Sequence, residues 1–330
     1  MKKVFLAGLV FAAVVIAGKI WYIAALGKTG APQTSFPVTE NESTDQIAKQ
    51  LHEKKLIKSK TAFKLHVRLN GLAKDFKVGR HRLSGEQSAT VIAKALTAQT
   101  RADSLYTVTE GLTQREIATQ LEEQDITNAK DFADLNAADF SHHPFLKDVP
   151  DSASLEGFLF PDTYDAPVVR EPAKDVAEVM LANFEKKVVG SVKDDLSRSG
   201  RSLYEIVIVA SMLEEEVRTD KDRRIVAGIL YRRLREDIRL DVDATTRYAV
   251  NKKSREPLTG EDLDSSNPYN TRRVKGLPPG PISNPGLASI EAALNPEESE
   301  FLFYLSDRDG VTRFAKTLDE HNANVEKYLR

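Results

Sequence analysis

Three consecutive acids, Glu214-Glu215-Glu216, follow directly on the apolar run Ile206-Val207-Ile208-Val209-Ala210-Ser211-Met212-Leu213. The run is apolar nearly all round, so as a helix it must be buried. A carboxyl group carried to the end of a buried helix loses solvation. That loss favours its neutral form and keeps a transferable proton on it near neutral pH. Cleavage of a glycosidic bond needs such a donor, because the departing oxygen must be protonated as it leaves. The ordinary alternative is a solvated helix end, with Glu214 paired to Arg218 four residues on. Successive helical residues point about 100° apart, so spacing does not choose among the three acids.

Composition narrows the remaining chemistry. The chain has no cysteine, which excludes disulfides, thiol catalysis and cysteine-based metal sites. A net charge of −2 over 330 residues gives no basic excess for nucleic acid, and no such partner is expected. His142-His143-Pro144 is a neighbouring histidine pair, but no third ligand lies at helical or hairpin spacing, so it reads as a surface loop in the polar connection over 129–153. No metal or cofactor is expected. Pro278-Pro279-Gly280 reads as a rigid loop, through restricted φ and a permissive glycine.

The elements that must hold these residues indicate an α+β chain. Hydrophobic residues make up 41% and charged residues 29%, ordinary for a globular body, and the length suits two modest domains. Val176, Met180, Phe184 and Val188 recur at spacing four and predict an amphipathic helix over 172–189. Further helices are expected over 203–217 and 222–235, then a strand pair at 301–305 and 312–314 and a closing helix. Residues 38–53 match residues 108–123 at eight of sixteen positions, among them Ile47/Ile117, Ala48/Ala118, Gln50/Gln120 and Leu51/Leu121. A third, weaker copy runs from Ser88 to Leu96. Each reads as a short strand, a Ser or Thr cap (Ser43, Thr113) and a helix. Such units resemble the small peptidoglycan-binding LysM module; duplicated packing units without a ligand are the equal alternative.

At the N-terminus Lys2 and Lys3 precede an apolar stretch over 4–26, interrupted only by Lys19. Its length suits a membrane-spanning helix, with Trp21 and Tyr22 as interfacial anchors and the lysines holding the N-terminus in the cytoplasm. A cleaved signal peptide ending near Gly18 is the competing expectation. The expected organisation is a tail and transmembrane helix over 1–27, a linker over 28–36, a small LysM-like α/β region over 37–105, and a mixed α+β catalytic domain over 106–330.

Five segments carry a family resemblance. They are Glu156-Gly157-Phe158-Leu159-Phe160-Pro161-Asp162-Thr163-Tyr164, Ala210-Ser211-Met212-Leu213-Glu214-Glu215-Glu216, Tyr269-Asn270-Thr271, the run from Gly276-Leu277-Pro278-Pro279-Gly280 to Ser283-Asn284-Pro285-Gly286, and Phe314 with Thr317, Glu320, His321 and Asn322. In this order they resemble the endolytic murein transglycosylases, the YceG-like or MltG family. The resemblance implies a lyase that cuts the MurNAc–GlcNAc bond within peptidoglycan glycan strands and leaves 1,6-anhydro-MurNAc ends, setting strand length. It implies a single-pass inner-membrane protein with its catalytic domain outside the cytoplasm, and peptidoglycan synthases as partners. It selects Glu214 as the catalytic residue, with Glu216 in support. Asp243, Thr245, Tyr248, Asn270, Thr271 and Glu320 fall on substrate-binding positions, with a helix-cap salt bridge the equal alternative to the site wall for Glu320 and His321. The bland roles for Asp243 and for Asn270 with Thr271 are a helix cap and a turn closure.

The sequence departs from the family pattern at Glu215, where a basic residue is usual, and at Asp241 and Ala244, where glutamine and proline are usual. These departures bear on rate and preferred strand length more than on reaction class. Two rival readings remain from the residues alone. One is a non-catalytic peptidoglycan-binding scaffold; the other is a lysozyme-like hydrolase, which needs a second placed carboxylate.

Overall fold

The computed structural model describes residues 2–98, 105–166, 171–254 and 256–329, over 2–12 by the backbone alone. The chain divides into two compact units, Met1–Tyr106 with Tyr164–Arg170, and Thr107–Thr163 with Glu171–Arg330. The first carries α1 (Lys2–Ala25), β1 (Thr34–Val38), α2 (Thr44–Glu53), α3 (Lys60–Leu69), β2 (Gly79–Leu83) and α4 (Ala89–Ala95). Strands β1 and β2 pair antiparallel, with Phe36 opposite His81. Phe36 and Val38 of β1 pack with Ile47, Ala48 and Leu51 of α2, Phe63 of α3 and Ile92 of α4 in one core.

The repeat is visible as structure. Ser43 and Thr113 each cap a helix through a reciprocal box with the side chain three residues on, Gln46 and Glu116, and Ser88 caps α4 by accepting from Val91 N. The matched Ile, Ala and Leu positions (47, 48, 51; 117, 118, 121; 92, 93, 96) are buried in every copy. Helix α1 is continuous over 24 residues. The side chains that begin the expected span lie outside the described residues, and among those described no helix is long and apolar enough to cross a membrane.

A two-stranded ribbon, β3 (Leu105–Thr107) with β4 (Thr163–Asp165), marks where the chain leaves the first unit and returns to it. The second unit continues with α5 (Gln114–Glu123), α6 (Ala129–Ala133), α7 (Ala173–Phe184), α8 (Gly190–Ser199), α9 (Leu203–Glu216), α10 (Asp220–Arg235), α11 (Asp243–Ala249), α12 (Gly260–Leu263), α13 (Leu287–Leu294), β5 (Phe303–Ser306), β6 (Thr312–Ala315) and α14 (Leu318–Tyr328). The described chain is thus mixed α+β, about half helical, with its strands in three separate pairs. The helix expected over 172–189 differs in one respect: α7 ends at Phe184 and a π-helical turn, Glu185–Val189, leads into α8. Val176, Met180, Phe184 and Val188 are all buried as their spacing requires. The connection over 129–153 also contains α6 and two short 3₁₀ turns, Ala137–Phe140 and Pro144–Leu146.

Helix α9 is the spine of this unit. Ser202 and Glu205 form its capping box, and Leu203 and every residue from Ile206 to Leu213 are buried. Helix α13 lies along both α9 and α10. The motif segments are joined by side chains of their own. Ser211 Oγ on α9 accepts from Ile282 N at 3.0 Å, and Ser283 Oγ donates to Ser211 O at 3.2 Å. Asn284, fully buried, accepts from Gly157 N and Leu159 N at 2.9 Å each and donates to Leu112 O and Glu156 Oε1, also at 2.9 Å. Gly157 stands at φ +89, where a Cβ would lie 2.6 Å from Val207 Cγ1 and 2.7 Å from Pro281 Cγ, so this close approach requires glycine.

Replacing Asn284 by alanine strands the N–H donors of Gly157 and Leu159 inside the core, while Leu112 O keeps the Asn284 N–H and Glu156 keeps Gln114 N and Tyr248 Oη. An unsatisfied buried polar group costs about 1–3 kcal/mol, so with two donors stranded Asn284→Ala is expected to lower stability by at least about 2 kcal/mol in chemical denaturation. A loss under about 1 kcal/mol would show that water or relaxation satisfies these groups.

Candidate active site

Glu214 stands in the last turn of α9, with only 9% of its side chain exposed. A negative charge at a helix C-terminus opposes the helix dipole, so this position needs compensation from elsewhere. It comes from two other helices. Oε2 accepts from Gly286 N at 3.0 Å and from Ser289 Oγ at 2.8 Å, both at the N-terminal end of α13, whose dipole is favourable there. Oε1 faces Arg223 of α10 at 3.5 Å, so the ionic partner is Arg223 rather than Arg218. The Arg223 side chain is 11% exposed, and its Nε is buried without a hydrogen-bond partner among the described residues.

A further carboxylate lies in the same cluster. A Cβ on Gly286 would fall 1.9 Å from Glu110 Oε1, so the absence of a side chain at 286 makes room for Glu110. Lost solvation pushes the Glu110 carboxyl above the usual range; the charge of Glu214 adds to this and Arg223 opposes it. Gly286 therefore touches both acids, with its N–H on Glu214 and its Cα against Glu110.

The other two glutamates face elsewhere, as their helical phase requires. Glu215 accepts from Ser254 Oγ at 2.7 Å and borders Gly111, and burial raises its carboxyl. Glu216 accepts from Ala244 N at 3.4 Å, at the start of α11, and hydrogen-bonds the Tyr304 hydroxyl of β5. Lost solvation, then the charge of Asp243, pushes Glu216 up to about 7. Glu216 thus ties the end of α9 to α11 and β5, and makes no hydrogen bond to Glu214 among the described residues.

The expected substrate-binding residues separate into two groups. Thr245, Asn270 and Thr271 are completely buried. Thr245 Oγ1 and Thr271 Oγ1 bond each other at 2.8 Å, Val242 N donates to Thr271 Oγ1, and Thr245 Oγ1 donates to Val242 O. Asn270 accepts from Thr246 Oγ1 and donates to Leu263 O and Ser265 O. As placed, these three position the loops rather than line a surface, because their polar atoms are engaged within the protein. Asp243 is partly exposed and pairs with Arg272 at 2.6 Å. Tyr248 is half-buried; its Oη donates to Glu156 Oε2 at 3.3 Å and its ring lies 4.9 Å from that of Tyr269. Burial pushes the enclosed Glu156 up to about 8 despite donors from Gln114 N and Tyr248.

Glu320 is exposed and accepts from Lys316 N at 2.7 Å, while its own N–H donates to Thr317 Oγ1, which closes the first turn of α14. None of these contacts is to the Glu214 cluster. His321 packs its ring 5.5 Å from Phe303, and lost solvation lowers its pKa.

Sequence reasoning missed Glu110, Arg223 and Ser289 as neighbours of Glu214. Glu110 matches Glu40 in the repeat, so it reads as part of a packing unit. Arg223 is hidden in the charged run Asp220-Lys221-Asp222-Arg223-Arg224. Ser289 carries the one usable signal, a lone hydroxyl in the apolar stretch Leu287-Ala288-Ser289-Ile290.

Comparison with known proteins agrees with the motif order. The model of the YceG-like family matches residues 36–327. The chain belongs to the YceG-like family. A relative in Bacillus subtilis (strain 168), named endolytic murein transglycosylase, is 31% identical over 315 residues, covering 92% of this chain and 86% of that protein. A Streptococcus pneumoniae protein of the same name (serotype 2, strain D39) is 26% identical over 322 residues, which cover 88% of this chain but only 58% of the streptococcal protein. A solved structure of a YceG-like protein from Listeria monocytogenes superposes with a TM-score of 0.61 at 28% identity, over 89% of this chain and 99% of that one.

The raised value of Glu216 has a consequence for stability. Its folded value of about 7 lies above the ordinary 4.5, so its stabilising contribution is complete below 4.5 and is lost as pH rises through about 7. Glu216→Gln does not titrate. The Tm of the variant relative to the parent is therefore expected to rise between pH 4.5 and 7. A Tm difference that stays constant over that window would mean the carboxyl is solvated.

Proposed function

We propose that this chain cleaves peptidoglycan glycan strands internally as a lytic murein transglycosylase, with Glu214 as its single acid and base. The observation that carries the residue assignment is the convergence of Gly286 N–H, Ser289 Oγ and Arg223 on the Glu214 carboxyl at the end of a buried helix. In this proposal Glu214 gives a proton to the leaving glycosidic oxygen, and the carboxylate left behind is stabilised by the N–H, the hydroxyl and the guanidinium. The same carboxylate then takes the proton of the sugar's C6 hydroxyl as that oxygen closes on C1, which leaves a 1,6-anhydro-MurNAc end. No water attacks, so no second carboxylate is required.

In this reading Glu216 supports the site by fixing the ends of α9 and α11. Asp243 and Tyr248 keep partly exposed surface for the glycan, and Thr245, Asn270 and Thr271 hold the loops beneath it. A role for Glu320 in contacting the strand rests on the family resemblance. We also propose that residues 37–105 form a LysM-like region that steers strands to a catalytic domain over 106–330, and that the protein works beside peptidoglycan synthases.

The proximity of Glu110 gives the hydrolase reading its one specific support, since it is a second carboxyl in the Glu214 cluster. Product mass separates the two, because an anhydro end is lighter than a hydrolysed end by one water. Undigested strands are expected to yield anhydro ends, and Glu214→Gln is expected to lower turnover by about 10²–10⁴-fold while folding normally. Hydrated ends would establish hydrolysis, and parental turnover by Glu214→Gln would remove the residue assignment. In the same inactive variant, saturating glycan is expected to slow amide exchange within 37–105; protection confined to residues beyond 106 removes the delivery role.

Membrane anchoring by residues 4–26 is part of the proposal, on the strength of the apolar stretch and the flanking Lys2 and Lys3. A reporter fused after Arg330 is expected to be active only outside the cytoplasm, with Met1 retained in the membrane fraction. Recovery of a soluble form trimmed near Gly18 or Gly27 would overturn the anchor in favour of a cleaved signal.

A further inference from the structure

His142 and His143 follow the 3₁₀ turn Ala137–Phe140, and the sequence near them offers no third ligand. The fold supplies one. Glu178, on α7, places a single oxygen, Oε1, 3.3 Å from His142 Nε2 and 3.0 Å from His143 Nε2. The three donor atoms all lie within 4.8 Å of one another. Tetrahedral zinc, with bonds of about 2.0–2.1 Å, sets neighbouring ligand atoms roughly 3.3 Å apart. Both histidine–carboxylate separations already match that spacing.

His143 is the decisive residue. Its side chain is only 7% exposed, and its other nitrogen, Nδ1, lies 3.4 Å from Glu185 Oε2. Both ring nitrogens therefore face carboxylate oxygens. A neutral imidazole has one N–H and one lone pair, so without a cation one contact sets a lone pair against a negative oxygen. A metal ion bound at Nε2 resolves the conflict: the lone pair ligates, and Nδ1–H donates to Glu185. A carboxylate behind the ligating histidine is the usual way such a ring is oriented. Glu185 opens the π-helical turn at the end of α7, a local irregularity that often marks functional positions.

We propose that His142, His143 and Glu178 bind one Zn²⁺ ion, with Glu185 holding His143 behind it. Two imidazoles and a carboxylate form a borderline nitrogen–oxygen donor set suited to zinc, with a fourth position for water. The ion clasps the His142-His143 loop to α7, beside the aromatic cluster of Phe145, Phe158 and Phe184. The site shares no residue with the Glu214 cluster. The competing account is a second proton on His143, which requires no metal.

Calorimetric titration of the metal-stripped full-length chain with ZnCl₂, in a non-coordinating buffer, tests this directly. One equivalent is expected to bind per chain. His142→Ala and Glu178→Gln, at exposed and half-exposed positions, are expected to fold and to bind at least about tenfold more weakly, and Glu185→Gln about 10–100-fold more weakly. At a fixed zinc concentration the Tm of the parent is expected to rise more than that of Glu178→Gln. No stoichiometric uptake, or equal affinity in the parent, His142→Ala and Glu178→Gln, overturns the site and leaves the doubly protonated His143.

Discussion

One buried amide holds the second unit to its working shape. Asn284 spends both lone-pair directions of its oxygen on Gly157 N and Leu159 N, and both amide hydrogens on Leu112 O and Glu156. Those partners are 125 to 172 residues away in sequence. No apolar side chain could replace it, because its oxygen is the acceptor for two buried backbone N–H groups, Gly157 and Leu159. Gly286, whose N–H donates to Glu214, lies two residues beyond Asn284 in the same segment.

The site itself is built against local preference. Three acids close α9, where the helix dipole disfavours negative charge and no basic residue shares the last turn. Local consistency would place lysine or arginine there. The structure offsets the conflict from outside the helix, through Arg223 and the N-terminal end of α13. Local conflict compensated from a distance is what a functional position tends to look like. The three acids also divide their work by helical phase: Glu214 meets α13, Glu215 meets Ser254, and Glu216 meets α11 and β5.

Where one side chain's periodicity or cap decides an element, that element was legible in the sequence. Ser43, Thr113 and the buried Ile-Ala-Leu positions of the repeat, the all-round apolar α9, and the closing strand pair and helix follow from such local signals. The π turn did not show, because Val176, Met180, Phe184 and Val188 keep an even spacing across it. The burial of the helix that carries Glu214 was legible, but the surroundings of its carboxyl were not. Arg223, Ser289 and Glu110 reach it through tertiary packing, and in sequence they resemble a charged helix start, a core helix and a repeat. Asn270 and Thr271 illustrate the opposite case. The family resemblance points to a ligand, yet their partners are the hydroxyls and carbonyls of neighbouring loops. Among the departures, Asp241 occupies left-handed backbone at φ 53, a conformation that aspartate tolerates better than glutamine does.

The ribbon of β3 and β4 has a bearing on how this architecture can be inherited. The chain leaves the first unit after Tyr106 and re-enters it from Tyr164 to Arg170, with the rings of Tyr106 and Tyr164 stacked 5.4 Å apart. The first unit is therefore not a contiguous cassette. A recombination event with a single junction at residue 106 would carry off one tyrosine and leave its mate behind. Exchange of the N-terminal unit between relatives has to respect two junctions at once, so the two units are expected to descend together rather than shuffle as independent modules.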